Sequence, residues 1–164
     1  FILLTSKVVC KNMKLTDQQS AKESYAELIS ENSKSVLIDV RSKREWLEVG
    51  VADFLSTPKK LVLCEWLKSP SMEPNINFFN ELTEQLDLQK LDCLYFICAA
   101  GVRSQQACDY TRNKFEHLDV SLECINVSDG FSGKINSFLG FGKVGGWKGS
   151  GLPCCDLKQL AYEN

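Results

Sequence analysis

Cys98 is followed by Ala99-Ala100-Gly101-Val102-Arg103-Ser104, and this heptad carries the densest chemistry in the chain. Strand formers, Leu94-Tyr95-Phe96-Ile97, lead into the cysteine. An amphipathic stripe of Cys108, Thr111, Phe115 and Leu118 follows it. The cysteine therefore closes a predicted strand, and the arginine stands at the start of a predicted helix. Small residues and a glycine between them let the backbone wrap tightly, so that successive N–H groups converge above the sulfur. The helix N-terminus and Arg103 add positive charge to the same space. A thiol placed there is expected to be held as the thiolate, facing a pocket shaped for an anion that it can attack.

The remaining thiols have no comparable context. Cysteines stand at 10, 64, 93, 108, 124, 154 and 155, with no C-x-x-C pair. Metal sites usually show paired ligands two to four residues apart, and a single histidine leaves little to complete a mixed site. Cys10, Cys64, Cys93, Cys108 and Cys124 read as buried reduced thiols. The adjacent pair Cys154-Cys155 reads as structural or incidental, with a metal or redox role as the alternative. His117 is excluded as a base for Cys98, because on a straight helix it lies about 21 Å along the axis from Arg103. Asp39, which closes another predicted strand, is the second polar residue at a strand end, where open α/β sheets bind their ligands.

The elements that must hold these residues alternate. Ser20-Ala21-Lys22-Glu23 fits a capping box, with Ala21, Tyr25, Leu28 and Ile29 on one helical face. Val36-Leu37-Ile38-Asp39-Val40, Leu61-Val62-Leu63-Cys64 and Cys124-Ile125-Asn126-Val127 are short apolar runs that predict strands. Pro74, ahead of Phe79, Leu82 and Leu86, predicts a helix with proline in its first turn. Strands apolar on both faces, separated by helices, imply an α/β fold with a mostly parallel sheet flanked by helices on both faces. Glycines crowd residues 128–153, yet Phe131, Phe138, Phe141 and Trp147 are expected to bury themselves and order that stretch. Trp46, Trp66 and Trp147 are expected in the core, with framing of the pocket mouth as the other role open to them.

Composition bounds the rest. The chain has 164 residues, 44% apolar and 24% charged, which suits one domain and excludes disordered, collagenous and coiled-coil classes. Net charge −2 gives no basic face for nucleic acid, and no apolar run approaches a membrane span, so neither partner is expected. No secretory signal is evident, which points to a cytoplasmic location. The expected organisation is an N-terminal extension over 1–13, partly of non-native residues, a single domain over 14–153 and a tail over 154–164.

Cys98-Ala99-Ala100-Gly101-Val102-Arg103-Ser104 resembles the active-site loop of rhodanese domains. Leu37-Ile38-Asp39-Val40-Arg41 with Glu45-Trp46 is similar to the family's Asp-Val-Arg strand and downstream Glu. Gly130-Phe131 resembles the segment after the last strand, and Gly145-Gly146-Trp147-Lys148 through Gly151-Leu152-Pro153 resembles the tail. The likeness covers roughly residues 14 to 153 and looks most like single-domain bacterial forms, notably alphaproteobacterial ones. It departs where family members often have Gly-His-Ile, since Gly50 here precedes Val51-Ala52.

The resemblance implies a rhodanese-like fold and a sulfurtransferase that needs no cofactor and no metal. Cys98 would take a sulfane sulfur from thiosulfate, a small anionic donor, and pass it as a persulfide to cyanide or to a thiol acceptor, protein thiols included. The loop from Ala99 through Ala100, Gly101, Val102 and Arg103 to Ser104 would bind the substrate, with Arg103 recognising the anion. Asp39, Arg41 and Glu45 would support the loop, Arg41 pairing with Glu45. Two rivals stand beside this reading. One is a rhodanese-like module that binds or regulates without catalysis. The other is a phosphatase or arsenate reductase of the same fold, whose signature places five residues between Cys and Arg where this chain has four.

Overall fold

Apolar runs rich in β-branched and aromatic residues become the central strands in a computed structural model that describes residues 17–54, 57 and 60–160. In chain order the elements are β1 (Gln18–Gln19), α1 (Ala21–Leu28), β2 (Ser35–Asp39), α2 (Lys43–Val49), β3 (Val51–Ala52) and β4 (Leu61–Leu63). Then come β5 (Leu67–Lys68), β6 (Glu73–Pro74), α3 (Phe78–Glu84), β7 (Cys93–Ile97), α4 (Val102–His117) and β8 (Glu123–Val127). The last are β9 (Lys134–Ile135), β10 (Lys143–Val144), α5 (Gly146–Gly149), β11 (Cys154–Cys155) and α6 (Leu157–Leu160).

The sheet runs β1-β8-β7-β2-β4, and every neighbouring pair is parallel. Each residue of β2 and β7 is buried, as expected for strands covered on both faces. Alternation of side chains splits the core into two layers. Val36, Ile38, Leu94 and Phe96 face α3 and α4, packing with Leu82, Cys108 and Phe115. Leu37, Tyr95, Ile97 and Ile125 face α1, packing with Leu28, Phe131 and Trp147. The expected α/β layout, a parallel sheet between helices, is borne out.

Register places the chemistry. Asp39 lies opposite Ile97 at the carboxyl ends of β2 and β7, so Cys98 emerges one residue beyond the sheet and beside Asp39. Ser20 forms the predicted capping box with Glu23 ahead of α1. Ser42 and Glu45 form a second one ahead of α2, which fixes the Glu45 backbone just past the end of β2.

Three expectations are corrected. Pro74 does not open a helix: it pairs with Leu67 in the β5–β6 ribbon, and α3 starts four residues later behind Asn77. Leu118 is exposed, because the helix ends at His117 and the stripe loses its packing partner there. Phe131 and Trp147 are buried, but Phe138 and Phe141 are 92% and 70% exposed. They lie between β9 and β10, a two-stranded ribbon too narrow to have an interior. Trp46 is also buried, while Trp66 is half-buried edge-on against Phe78. Cys154–Cys155, at the start of the stretch expected as a tail, pairs antiparallel with Val51–Ala52. Cys10 and the expected extension over 1–13 lie outside the described residues.

Candidate active site

Cys98 is buried, and two donors reach its sulfur: the Gly101 N–H and the Ser104 hydroxyl, each at 3.2 Å from Sγ. Gly101 caps α4 at φ +95°, and a Cβ there would lie 2.2 Å from the Ser128 carbonyl oxygen, so the turn admits glycine alone. The carbonyls of the loop are tied outward. Phe131 N–H donates to Cys98 O at 2.7 Å, Ser132 N–H to Ala99 O at 2.9 Å, and Asn126 Nδ2 to Gly101 O at 3.0 Å. A trans peptide sets each C=O against the following N–H, so the N–H groups of Ala99, Ala100 and Val102 turn to the opposite side of their planes. Helix α4, 16 residues long, adds its N-terminal partial charge.

Arg103 and Glu45 form a two-pronged pair, Nη1–Oε2 and Nη2–Oε1 both at 2.7 Å, that bridges α4 to α2. Burial works to raise the Glu45 carboxyl, but Arg103 and the Ser42 N–H and hydroxyl outweigh it and hold it at about 2. The same hydrogen bonds to Glu45 raise Arg103. The expected pairing of Arg41 with Glu45 is therefore overturned. Arg41 instead clasps Asp39, with Nη2–Oδ2 at 2.6 Å and Nε–Oδ1 at 3.0 Å, and donates to Gly50 O at 2.8 Å. Its guanidinium lies 3.9 Å from the centre of the Phe131 ring, and Phe131 in turn holds the Cys98 carbonyl. Asp39 and Arg41 thus reach the loop through Phe131, and Glu45 reaches it through Arg103.

Other thiols are set apart by their surroundings. Burial pushes Cys64 and Cys108 up to about 12, and Cys124 is also driven up by burial. His117 is exposed at the end of α4, its Nδ1 2.7 Å from Asn113 O, far from the sulfur along the helix. Among the described residues no three His, Cys, Asp or Glu side chains gather where they could share a metal ion. No helix among them is long and apolar enough to cross a membrane.

Two contributors escape a reading of the sequence alone. Asn126 holds Gly101, and its only signal is a polar residue inside an otherwise apolar strand. Asp129 accepts from Ala21 N–H at 2.7 Å and Gly146 N–H at 2.8 Å, joining the start of α1 to the segment that returns to the core. A cavity of about 660 Å³ opens beside the loop, where Ala100, Gly101, Val102 and Gln105 face Lys134 and Ile135.

No family model matches the chain. Among curated proteins it is similar to the uncharacterized protein RC0915 of Rickettsia conorii, 29% identical over 131 residues, or 80% of this chain and 90% of that one. The uncharacterized protein RP600 of Rickettsia prowazekii is 29% identical over 122 residues, 74% of this chain and 84% of the relative. These relatives are consistent with the expected likeness to alphaproteobacterial forms. Among solved structures, Rv0390 from M. tuberculosis superposes with a TM-score of 0.68 at 29% identity, over 85% of this chain and 96% of that one. A rhodanese-like domain protein from Staphylococcus aureus lies further off, with a TM-score of 0.45 and 18% identity over 68% and 83% of the two chains.

Proposed function

We propose that the protein is a sulfurtransferase that carries sulfane sulfur on Cys98. The observation that carries this reading is a thiol at a strand end that accepts hydrogen bonds from Gly101 and Ser104 inside a six-residue loop. Cys98 thiolate attacks the outer sulfur of thiosulfate. The S–S bond breaks, sulfite leaves with the electron pair, and Cys98 is left as a persulfide. The loop N–H groups from Ala99 to Ser104 hold the terminal sulfur as an anion. Arg103 meets the anionic donor while Glu45 orients its guanidinium. An acceptor thiolate or cyanide then attacks the terminal sulfur, and Cys98 departs as the thiolate. No oxidant or reductant is consumed.

Four residues between Cys98 and Arg103 make a ring that suits one transferred sulfur better than a tetrahedral phosphate. A reduced nucleophilic thiol suits a reducing compartment, and the cytoplasm is the proposed location. The non-catalytic reading draws on a single feature: both outer nitrogens of Arg103 are engaged by Glu45 rather than facing the loop.

Thiosulfate treatment of the reduced protein, followed by mass spectrometry, decides between them. The expected result is a gain of about 32 Da on Cys98 that cyanide removes as thiocyanate, and no such gain on Cys98→Ser. No adduct on a Cys98 that an alkylating probe still labels would overturn catalysis in favour of a binding module. Turnover retained by Cys98→Ser would overturn the assignment of the nucleophile.

A further inference from the structure

The hairpin over 134–144 has no role in the chemistry above, and its composition is unlike the rest of the chain. From Gly130 to Cys155 there is no Asp or Glu, while Lys134, Lys143 and Lys148 fall within it, in a chain of net charge −2. Ile135, Phe138, Leu139, Phe141 and Val144 are all exposed on this one projection. Single exposed apolar residues are ordinary, but five on one hairpin are of the kind that marks an interaction site, and the pairing of Lys143 with Ile135 and of Val144 with Lys134 puts one lysine and one aliphatic side chain on each face of the ribbon.

The hairpin is also built to stay in one shape. Asn136 Oδ1 accepts from the N–H groups of Phe138 and Leu139 at 3.0 and 3.3 Å. Its backbone bonds Gly140 N–H and Gly142 O, both at 2.9 Å. The neck closes on glycine: a Cβ at Gly146 would lie 2.3 Å from the Gly133 nitrogen. A tip whose backbone is satisfied from within presents its apolar side chains with little ordering left to do on binding.

Its position says what that patch is for. Lys134 and Ile135 line the same cavity as Ala100, Gly101 and Val102, and Val102 is itself an exposed apolar residue. The base of the hairpin and the Cys98 loop therefore line one cavity, together with Gln18, Gln105, Gln106, Asn126 and Ser128. Resting on the sulfurtransferase reading, we propose that this hairpin docks a partner protein that presents its acceptor thiol from an apolar surface rimmed by carboxylates. Apolar side chains on the partner cover Phe138 and Phe141, and its carboxylates meet Lys134 and Lys143. Its thiolate then attacks the terminal sulfur of the Cys98 persulfide. The bond from that sulfur to Cys98 Sγ breaks, Cys98 leaves as the thiolate, and the partner carries the persulfide. A bilayer offers the same apolar and anionic chemistry but no thiol to bring to the cavity, and so explains less of the placement.

The test uses the full chain, loaded on Cys98 with thiosulfate, and two synthetic peptides. Each peptide has one Cys among Leu and Phe, flanked by Glu in the first and by Lys in the second. The Glu peptide is expected to discharge the persulfide about tenfold faster than the Lys peptide. K134E/K143E should reverse that order. F138S/F141S should slow the Glu peptide about tenfold while leaving discharge to dithiothreitol unchanged. Equal rates for the two peptides on the unaltered chain would overturn the proposal. So would F138S/F141S slowing dithiothreitol as much as the peptide. Without a peptide preference, binding to phosphatidylglycerol vesicles, or self-association, that F138S/F141S abolishes would reassign the hairpin to a membrane or to a second copy. Failure of the sulfur chemistry itself reads differently: no persulfide forms, yet the Glu peptide with Ser in place of Cys still binds and K134E/K143E weakens it.

Discussion

Two arginine–carboxylate pairs flank the same loop, and they are built for different work. Asp39 and Arg41 are two residues apart, and each side chain is 1% exposed. Glu45 and Arg103 are 58 residues apart and join two helices, with side chains 26% and 22% exposed. Both are multidentate and short, so geometry does not separate them. Burial does. A pair with no access to water cannot exchange its partner for solvent, and losing either member strands a charge in the interior. A pair partly open to solvent can lend its guanidinium to an incoming anion, with water and the other carboxylate oxygen easing the change. On the proposed function, the first is scaffold and the second the adjustable part of the site.

The largest effect that follows falls on the buried pair. Arg41→Ala leaves Asp39 without its guanidinium, Gly50 O without a donor, and Phe131 without the group packed on its ring. The expected loss is about 3–5 kcal/mol of folding stability, read by urea denaturation. Arg41→Lys should recover only part of it, because an ammonium reaches one of these partners and not all three. A loss below about 1 kcal/mol for Arg41→Ala would mean the pair is dispensable and that the loop is held by its own backbone bonds.

Arg103→Ala should do the reverse. Its side chain is only partly buried, so folding stability should fall by less than for Arg41→Ala, by about 1–2 kcal/mol. The kcat/KM for thiosulfate should drop by the equivalent of about 1–3 kcal/mol, because the donor loses a charge-assisted contact. Unchanged thiosulfate kinetics would make this pair a second strut, and the contrast with Arg41 would vanish.

How far the sequence foretold this depends on whether the chemistry is contiguous in the chain. The Cys98 loop was legible because cysteine, glycine and helix start follow one another within seven residues, bounded by strand and helix patterns. The pairing of the arginines was not. Arg41 and Glu45 have helical i,i+4 spacing, but α2 begins at Lys43, so Arg41 precedes the helix and the spacing rule has no hold on it. Glu45 and Arg103 meet only because β2 and β7 are neighbours in the sheet, which no local pattern reports. Phe138 and Phe141 show a different limit. Apolar character alone reads as core, and only the three-dimensional ribbon shows that there is no interior for them to enter. Pro74 is similar, a helix opener by local rule that a tertiary ribbon claims instead.

Glu45→Gln gives the smallest and sharpest test of the comparison. It removes the negative charge that competes with a dianionic donor for Arg103 while keeping an oxygen that can still orient the guanidinium. The thiosulfate KM should fall about threefold at neutral pH, and a rise would make Glu45 a clamp that Arg103 cannot do without. The pH dependence of stability fixes the sign independently. Glu45 is held at about 2 in the folded protein against 4.5 for a free carboxyl. A carboxylate lowered on folding contributes stability that is fully present above the unfolded value and fades as pH falls toward the folded one. The stability difference between the unaltered protein and Glu45→Gln should therefore be flat from pH 8 to 5 and shrink only between about 4.5 and 2, within the range where the fold survives. A difference that already changes between pH 8 and 5 would mean that something other than this carboxylate sets the charge on the rim of the loop, and Arg103 would have a different partner in solution.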